Sequence, residues 1–411
     1  MTGDRSGRPR WTCAGALLAT AVLVGGCAAA RAHAGKAPSS SPRTTHASAT
    51  NAARPLPGPT VVDAQLFAGG RGYVRTDDAL LWTDNGGKTW RSITPPGVSA
   101  ARLQAASVVV QADGSAWVAL ALSASDTALT LLRRDPTTGA WRSTRVPLGA
   151  MAKLAPGGER SASLSFAGPA DGWLMVDAQW TANSGISEMF RTTDGGEAWT
   201  LENRPEPRPG SIGFLTSRVG FLSAIPSQAL WITRDAGRSW TPLRLATPAR
   251  KRADIATLRA PTLAGNAIVI AAAYATPVQG NPVGLVLYRS TDLGRTWTEE
   301  QPSGMPTAEQ YDFAITPDGT RAVLLGAQHS TDFAIYTWAT SVSSDGGAHF
   351  STTTSRHSFY PDSASIAGAD TIWAIAGANG CTGFKTGCWQ QSGLVASTDG
   401  GTTWHQIAVP S

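Results

Sequence analysis

"TTDGGEAW" (residues 192–199) lies between two short runs, "ISEMFR" (186–191) and "TLENRP" (200–205). Thr192 and Asp194 carry short side-chain oxygens that accept backbone N–H groups one to three residues further on, which is how Asx and Ser/Thr turns are pinned. Gly195 and Gly196 admit positive φ, as a tight reversal requires. Trp199 then opens the next segment with a large apolar anchor. The flanks alternate apolar and polar residues, so the unit reads as strand, turn, strand. Every residue has a local task, and none requires a substrate.

The octet recurs. "TDNGGKTW" (83–90) has Asn85 where the others carry aspartate; "TRDAGRSW" (233–240), "STDLGRTW" (290–297) and "STDGGTTW" (397–404) are clean copies. "SSDGGAHF" (343–350) ends on Phe350, and "RRDPTTGAW" (133–141) is one residue too long. The seven turns end at Trp90, Trp141, Trp199, Trp240, Trp297, Phe350 and Trp404, with gaps of 41 to 58 residues. A second ladder of short strands precedes them in the same order: "GRGYV" (70–74), "GSAWV" (114–118), "DGWLMV" (171–176), "VGFLSA" (219–224), "GNAIVI" (265–270), "DGTRAVLL" (318–325) and "DTIWAI" (370–375). A fixed period of this length marks a repeat architecture.

The S/T-x-D-x-G-x-T/S-W octet resembles the Asp-box, or bacterial neuraminidase repeat, of sialidases and related β-propellers. With glycine-introduced aromatic strands before each turn, the chain also resembles the photosystem II stability/assembly factor type of propeller. The resemblance covers residues 60–411 and implies an all-β, seven-bladed propeller of four-stranded antiparallel blades. It places Asn85, Asp194, Asp235, Asp292, Asp345 and Asp399, with Trp90, Trp199, Trp240, Trp297, Phe350 and Trp404, in structural turns between third and fourth strands. An architecture of small sheets packed on their neighbours also suits about 350 residues better than a single core. The tryptophans of the turns and of the second strands (Trp117, Trp173, Trp373) are expected in the packing between sheets.

Residues 1–26 read as an export signal: Arg5, Arg8 and Arg10 precede the apolar stretch "CAGALLATAVLVGG" (13–26), too short for a comfortable membrane span. Val24-Gly25-Gly26-Cys27 matches a bacterial lipobox, which implies cleavage before Cys27 and lipidation of its thiol. Residues 28–59 are small, polar and proline-rich, so 27–59 reads as a lipidated, disordered tether. The net charge of +5 belongs to this leader and tether: residues 1–54 hold seven basic groups against one acidic, leaving 27 basic and 28 acidic beyond them. A near-neutral propeller gives no electrostatic reason to bind nucleic acid. Cys381 and Cys388, in "CTGFKTGCW", read as a disulfide in an exported chain, because the metal alternative lacks further ligands nearby.

No constellation of catalytic type stands out. A glycosidase needs two carboxylates across the scissile bond, and a sialidase likeness would further imply an arginine triad, a Tyr–Glu pair and an F-R-I-P segment. The nearest string is "FRTTD" (190–194), which runs straight into a turn, and Tyr73 opens a strand where packing explains it. The turn aspartates each stand alone, without the several oxygens that calcium collects, so neither metal nor cofactor is expected.

A meander puts the octets on one face of the disc and the second-to-third strand loops on the other, where function concentrates. These loops are "DAQWTANSGIS" (177–187), "AYATPVQGNP" (273–282) and "GANGCTGFKTGCWQQSG" (377–393), joined there by crossings such as "GMPTAEQYD" (304–312) and "RHSFYPD" (356–362). Trp180, Tyr311, Tyr360, Phe384 and Trp389 are the aromatic candidates for stacking on sugars or peptides; each also suits capping its own loop. The whole reads as an exported, lipid-anchored, monomeric scaffold on the outer face of a bacterial cytoplasmic membrane, binding a protein or glycan partner. The alternatives are a sialidase-like glycoside hydrolase, or a carbohydrate-binding protein without turnover. Whether a strand swapped from residues 55–60 closes the ring is left open.

Overall fold

The computed structural model describes residues 58–411, apart from 124, 154–158, 182–183, 203–208, 225–228, 249–254, 276–283, 307, 309, 330–335, 358–359, 369 and 382–387. It is a seven-bladed β-propeller with almost no helix. Each blade is an antiparallel meander of four strands consecutive in sequence, spanning 61–92, 107–147, 159–201, 210–242, 255–300, 310–357 and 360–407. Blade 5 adds a short strand, Thr262–Ala264, that pairs with its second strand. Among the described residues no helix is long and apolar enough to cross a membrane.

The second strands are the apolar heart of each blade. Trp117, Trp173 and Trp373 on them are almost completely buried, as is Trp338 on the third strand of blade 6. The core is divided into seven clusters, one at every junction between adjacent blades. Burial on both faces of each sheet is what lets so long a chain avoid a single oversized core. Across two junctions the second-strand tryptophan stacks on the aromatic that ends the next blade's first strand: Trp117 on Phe166 at 3.9 Å and Trp173 on Phe214 at 3.7 Å.

Innermost strands present an unpaired edge, a liability in any sheet. Here neighbouring blades supply the acceptors. Ser107 accepts the Leu164 amide, Ser163 the Ile212 amide and Ser165 the Phe214 amide, at 2.8–3.0 Å. Asp312 accepts the Ala364 amide, and Ser365 the Leu66 amide. In the other direction, Arg75 donates to the Ala106 carbonyl and Arg259 to that of Tyr311.

The seam between blades 7 and 1 closes in the same manner. The fourth strand of blade 7 is its own His405–Ile407, and residues 58–60 form no strand within that blade. Ser365 bonds both the amide and the carbonyl of Leu66, Trp90 Nε1 donates to the Ala408 carbonyl, and Gln391 and Ser392 donate to the carbonyls of Gly58 and Val61. Beneath them Val61, Leu66, Val74, Trp373, Leu394 and Ile407 form one apolar cluster. Closure therefore needs no swapped strand.

Candidate functional site

The octets join third to fourth strands, and the first hydroxyl is their pivot. Thr192 is 2 % exposed; its Oγ1 donates to Asp194 Oδ1 at 2.6 Å and accepts the Gly196 amide at 2.9 Å. Asp194 in turn accepts the amides of Glu197 and Ala198. The same ring forms around Thr233–Asp235, Ser290–Asp292, Ser343–Asp345 and Ser397–Asp399, and around Thr83 with Asn85, whose carbonyl replaces a carboxylate oxygen. The hydroxyls of Thr192, Thr296, Ser343 and Thr403 hold the carboxyls of Asp194, Asp292, Asp345 and Asp399 below the ordinary range, Asp399 at about 2. Donors to the ionised form favour that form. These carboxylates are anchored to their own turns.

Each turn also docks on its surroundings. The amides of Gly86, Gly195, Ala236, Gly346 and Gly400 bond the carbonyls of Gly70, Ala170, Arg218, Thr320 and Asp370 in the first-to-second strand connections of their own blades. From the preceding blade, Trp117 and Trp173 donate to the carbonyls of Gly195 and Ala236 at 2.8 and 2.9 Å. Arg234 and Arg289 reach the carbonyls of Gly294 and Gly346. The turn-end residues Trp90, Trp199, Trp240, Trp297 and Trp404 are half-buried, and Phe350 is buried. Ala236 and Leu293 hold left-handed φ of 65° and 61° where the other octets place glycine, a strained conformation for a residue with a Cβ.

The opposite face is uneven. All second strands start on the octet side, yet those of blades 3, 5, 6 and 7 run 10, 9, 8 and 10 residues, against 5, 4 and 5 in blades 1, 2 and 4. In blades 3 and 7, five extra residues at about 3.3 Å each carry the hairpin about 16 Å further out. This corrects the reading of 177–187 and 377–393 as loops. Strands Gly172–Thr181 and Ser184–Thr192 pair almost to the tip, as do Ile372–Cys381 and Cys388–Ser397. Ser184, Asn379, Gln390 and Gln391, of the residue types taken as loop signals, stand in these paired ladders.

Trp180, Tyr360 and Trp389 accordingly lie on strands rather than in loops, while Phe384 and Cys27 fall outside the described residues. Tyr311 belongs to the first strand of blade 6, Gln310–Ile315. It is 4 % exposed within the cluster between blades 5 and 6, with its hydroxyl donated to the Pro306 carbonyl. It offers no stacking surface. Cys381 and Cys388 are the last register pair of the blade 7 hairpin.

Asp177, Glu188 and Arg75 are among the buried ionisable groups that were not singled out in the sequence. Asp177 is 2 % exposed on the second strand of blade 3 and accepts the Gly210 amide of blade 4 at 2.8 Å. Burial pushes its carboxyl up to about 7 against the pull of Ser187 and the Gly210 amide. Glu188, facing the other junction, accepts the amides of Gly149 and Met151. Arg75 is fully buried. Tyr73 donates its hydroxyl to Asp63 at 2.7 Å, and burial followed by that carboxylate raises its pKa well above the phenol value, the reverse of what activates a nucleophile. Arg191, in the string nearest F-R-I-P, pairs with Asp171 at 3.2 Å on the octet side. Among the described residues no group of three or more His, Cys, Asp or Glu side chains is placed to hold a metal ion.

No protein-family model matches the chain, and neither does any curated protein. Distant similarities to solved structures are found. YCF48 bound to D1 peptide is 16 % identical over 86 % of this chain and 83 % of that one, with a TM-score of 0.36. SapL1 lectin in complex with alpha methyl fucoside is 14 % identical over 74 % and 96 %, at 0.35. An α-L-arabinofuranosidase of Fusarium graminearum with an iminosugar inhibitor is 13 % identical over 83 % and 93 %, at 0.38. Binding proteins and an enzyme stand side by side among these matches, and none of them lends this chain a role.

Proposed function

We propose that the chain is an exported, lipid-anchored propeller acting as a non-catalytic binding or assembly scaffold at the outer face of a bacterial cytoplasmic membrane. The observation that supports it is the asymmetry of the disc. One face engages its carboxylates in self-bonded turns, and the other raises four long hairpins of paired backbone. Paired backbone on a closed ring is already ordered where it is hydrogen-bonded, so a partner meeting it costs less entropy than one ordering a loop. A protein or a glycan is the partner chemistry such a surface serves. Asp177 has a pKa suited to acid–base work but is sealed between blades 3 and 4, out of reach of a substrate. We read Cys381 and Cys388 as a disulfide at the tip of the blade 7 hairpin, which peptide mapping without reductant would show.

Affinity capture with the full lipidated chain from its own membrane tests the scaffold. Partners should be retained by the wild type and lost when the blade 7 hairpin is shortened; equal capture by both refutes the assignment of this face. Turnover of any member of a fluorogenic glycoside panel would instead establish the hydrolase reading. Cys27→Ala should release the protein from membranes, and unchanged retention would refute the lipid anchor.

A further inference from the structure

On the octet face, between blades 3 and 4, lies a shallow cleft of about 400 Å3 lined by Asp171, Arg191, Ser217, Arg218, Asp235 and Arg238. Its anionic groups are already engaged. Asp171 pairs with Arg191, whose guanidinium also lies 5.6 Å over the Trp173 ring. Asp235 accepts the Thr233 hydroxyl and both the amide and the hydroxyl of Ser239. Arg218 and Arg238 are exposed, and neither has a side-chain partner among the described residues. Two guanidiniums thus border one cleft with no counter-ion.

This feature does not follow from the repeat. Arg218 is the residue whose carbonyl caps the octet, a place held by Gly70, Ala170, Thr320 and Asp370 in blades 1, 3, 6 and 7. Arg238 is the sixth octet residue, where the same four blades carry Lys88, Glu197, Ala348 and Thr402. Of these five blades, blade 4 alone sets a cation at both positions. The backbone beneath is fixed on both sides: Ala236 donates its amide to the Arg218 carbonyl and receives Trp173 Nε1 on its own. The Arg218 carbonyl is therefore tied to the octet two residues before Arg238, and a ligand spanning the two side chains meets a preorganised base.

We infer that this cleft is a binding site for a phosphate group, held between the Arg218 and Arg238 guanidiniums with Ser217 beside them. A guanidinium presents a planar fork of donors. A carboxylate has two oxygens and satisfies one such fork, whereas a tetrahedral phosphate offers three or four oxygens and satisfies two. The cleft has room beyond the phosphate for the group that carries it, so a phosphomonoester is the ligand class and free phosphate its minimal form. The site lies on the face opposite the hairpins and is independent of the scaffold reading.

The test is calorimetric titration of the full chain at constant ionic strength with inorganic phosphate, glycerol phosphate and acetate. Saturable binding of phosphate is expected, weakened at least about tenfold by Arg218→Gln and by Arg238→Gln. It should be unchanged in Arg295→Gln, which alters an equally exposed octet arginine of blade 5. Tighter binding of glycerol phosphate than of phosphate assigns the ester as the ligand; equal binding assigns the free ion. Acetate binding as tightly as phosphate, binding indifferent to both cleft substitutions, or no saturable binding overturns the site. Circular dichroism of each variant separates loss of the site from loss of the fold.

Discussion

Asp177→Asn isolates the energetic consequence of burying a carboxyl between two blades. In the unfolded chain this group ionises near the ordinary value of 3.8, whereas in the folded protein it holds its proton to about 7. Below pH about 4 both states are protonated and burial costs no ionisation energy. As pH rises from about 4 to 7 the unfolded chain gives up its proton first, so stability falls with rising pH and levels off above the folded value. A displacement from 3.8 to about 7, at about 1.4 kcal/mol for each tenfold change in proton affinity, corresponds to about 4 kcal/mol at pH 8. Asparagine is nearly isosteric, keeps a carbonyl oxygen for the Gly210 amide and does not titrate. Urea denaturation of both proteins at pH 4, 5.5 and 8 should show near-equal stability at pH 4 and an advantage for the variant that grows to about 4 kcal/mol at pH 8. A difference that is flat with pH, or a wild type that gains on the variant as pH rises, refutes the reasoning.

The octet aspartates behave in the opposite sense. Their folded values lie below the unfolded one, so the stability they contribute is present above pH about 4 and is lost as pH falls toward the folded value of about 2 at Asp399. Asp399→Asn should therefore lower the thermal midpoint at pH 7 and lower it much less at pH 2. Ser163→Ala removes the acceptor of the buried Ile212 amide and should cost about 1–3 kcal/mol in urea titrations, while no loss would show that this seam does not depend on the bond. At Gly400, with φ +68° and open space around it, alanine should cost about 1 kcal/mol of backbone strain. At Gly401 a Cβ would also stand 2.2 Å from Thr340 Cγ2, so Gly401→Ala should be clearly worse; equal midpoints would refute the clash.

The architecture was legible because its determinants are local. A hydroxyl, an aspartate and a glycine four residues apart form their bonds with one another, so "TTDGGEAW" carries its structure wherever it stands in the chain. What local chemistry does not determine was misread. The hairpin at 177–187 contains serine, asparagine and glycine, yet its strands keep pairing because a partner strand lies alongside, a fact absent from either segment alone. Tyr311 sits among prolines, glutamate and glutamine and so reads as exposed, but register places it against blade 5. The serines at the inner edges were silent for the same reason. Ser163 and Ile212 are 49 residues apart, and only the closed ring brings the hydroxyl to the amide. Arg218 and Arg238 are of this kind too, being joined through an octet and the connection that caps it.

Closure through side chains gives the ring an interchangeable starting point. Gly58 lies beside the Val409 carbonyl, so the two ends of the described chain are neighbours in space. Since among the described residues no blade borrows a strand from the far end, a chain relinked across that gap and opened at any other crossing between blades keeps seven whole meanders and loses one covalent link. Six circular permutants of this protein should fold to the same disc, and each moves the seam that lacks a peptide connection to a different junction.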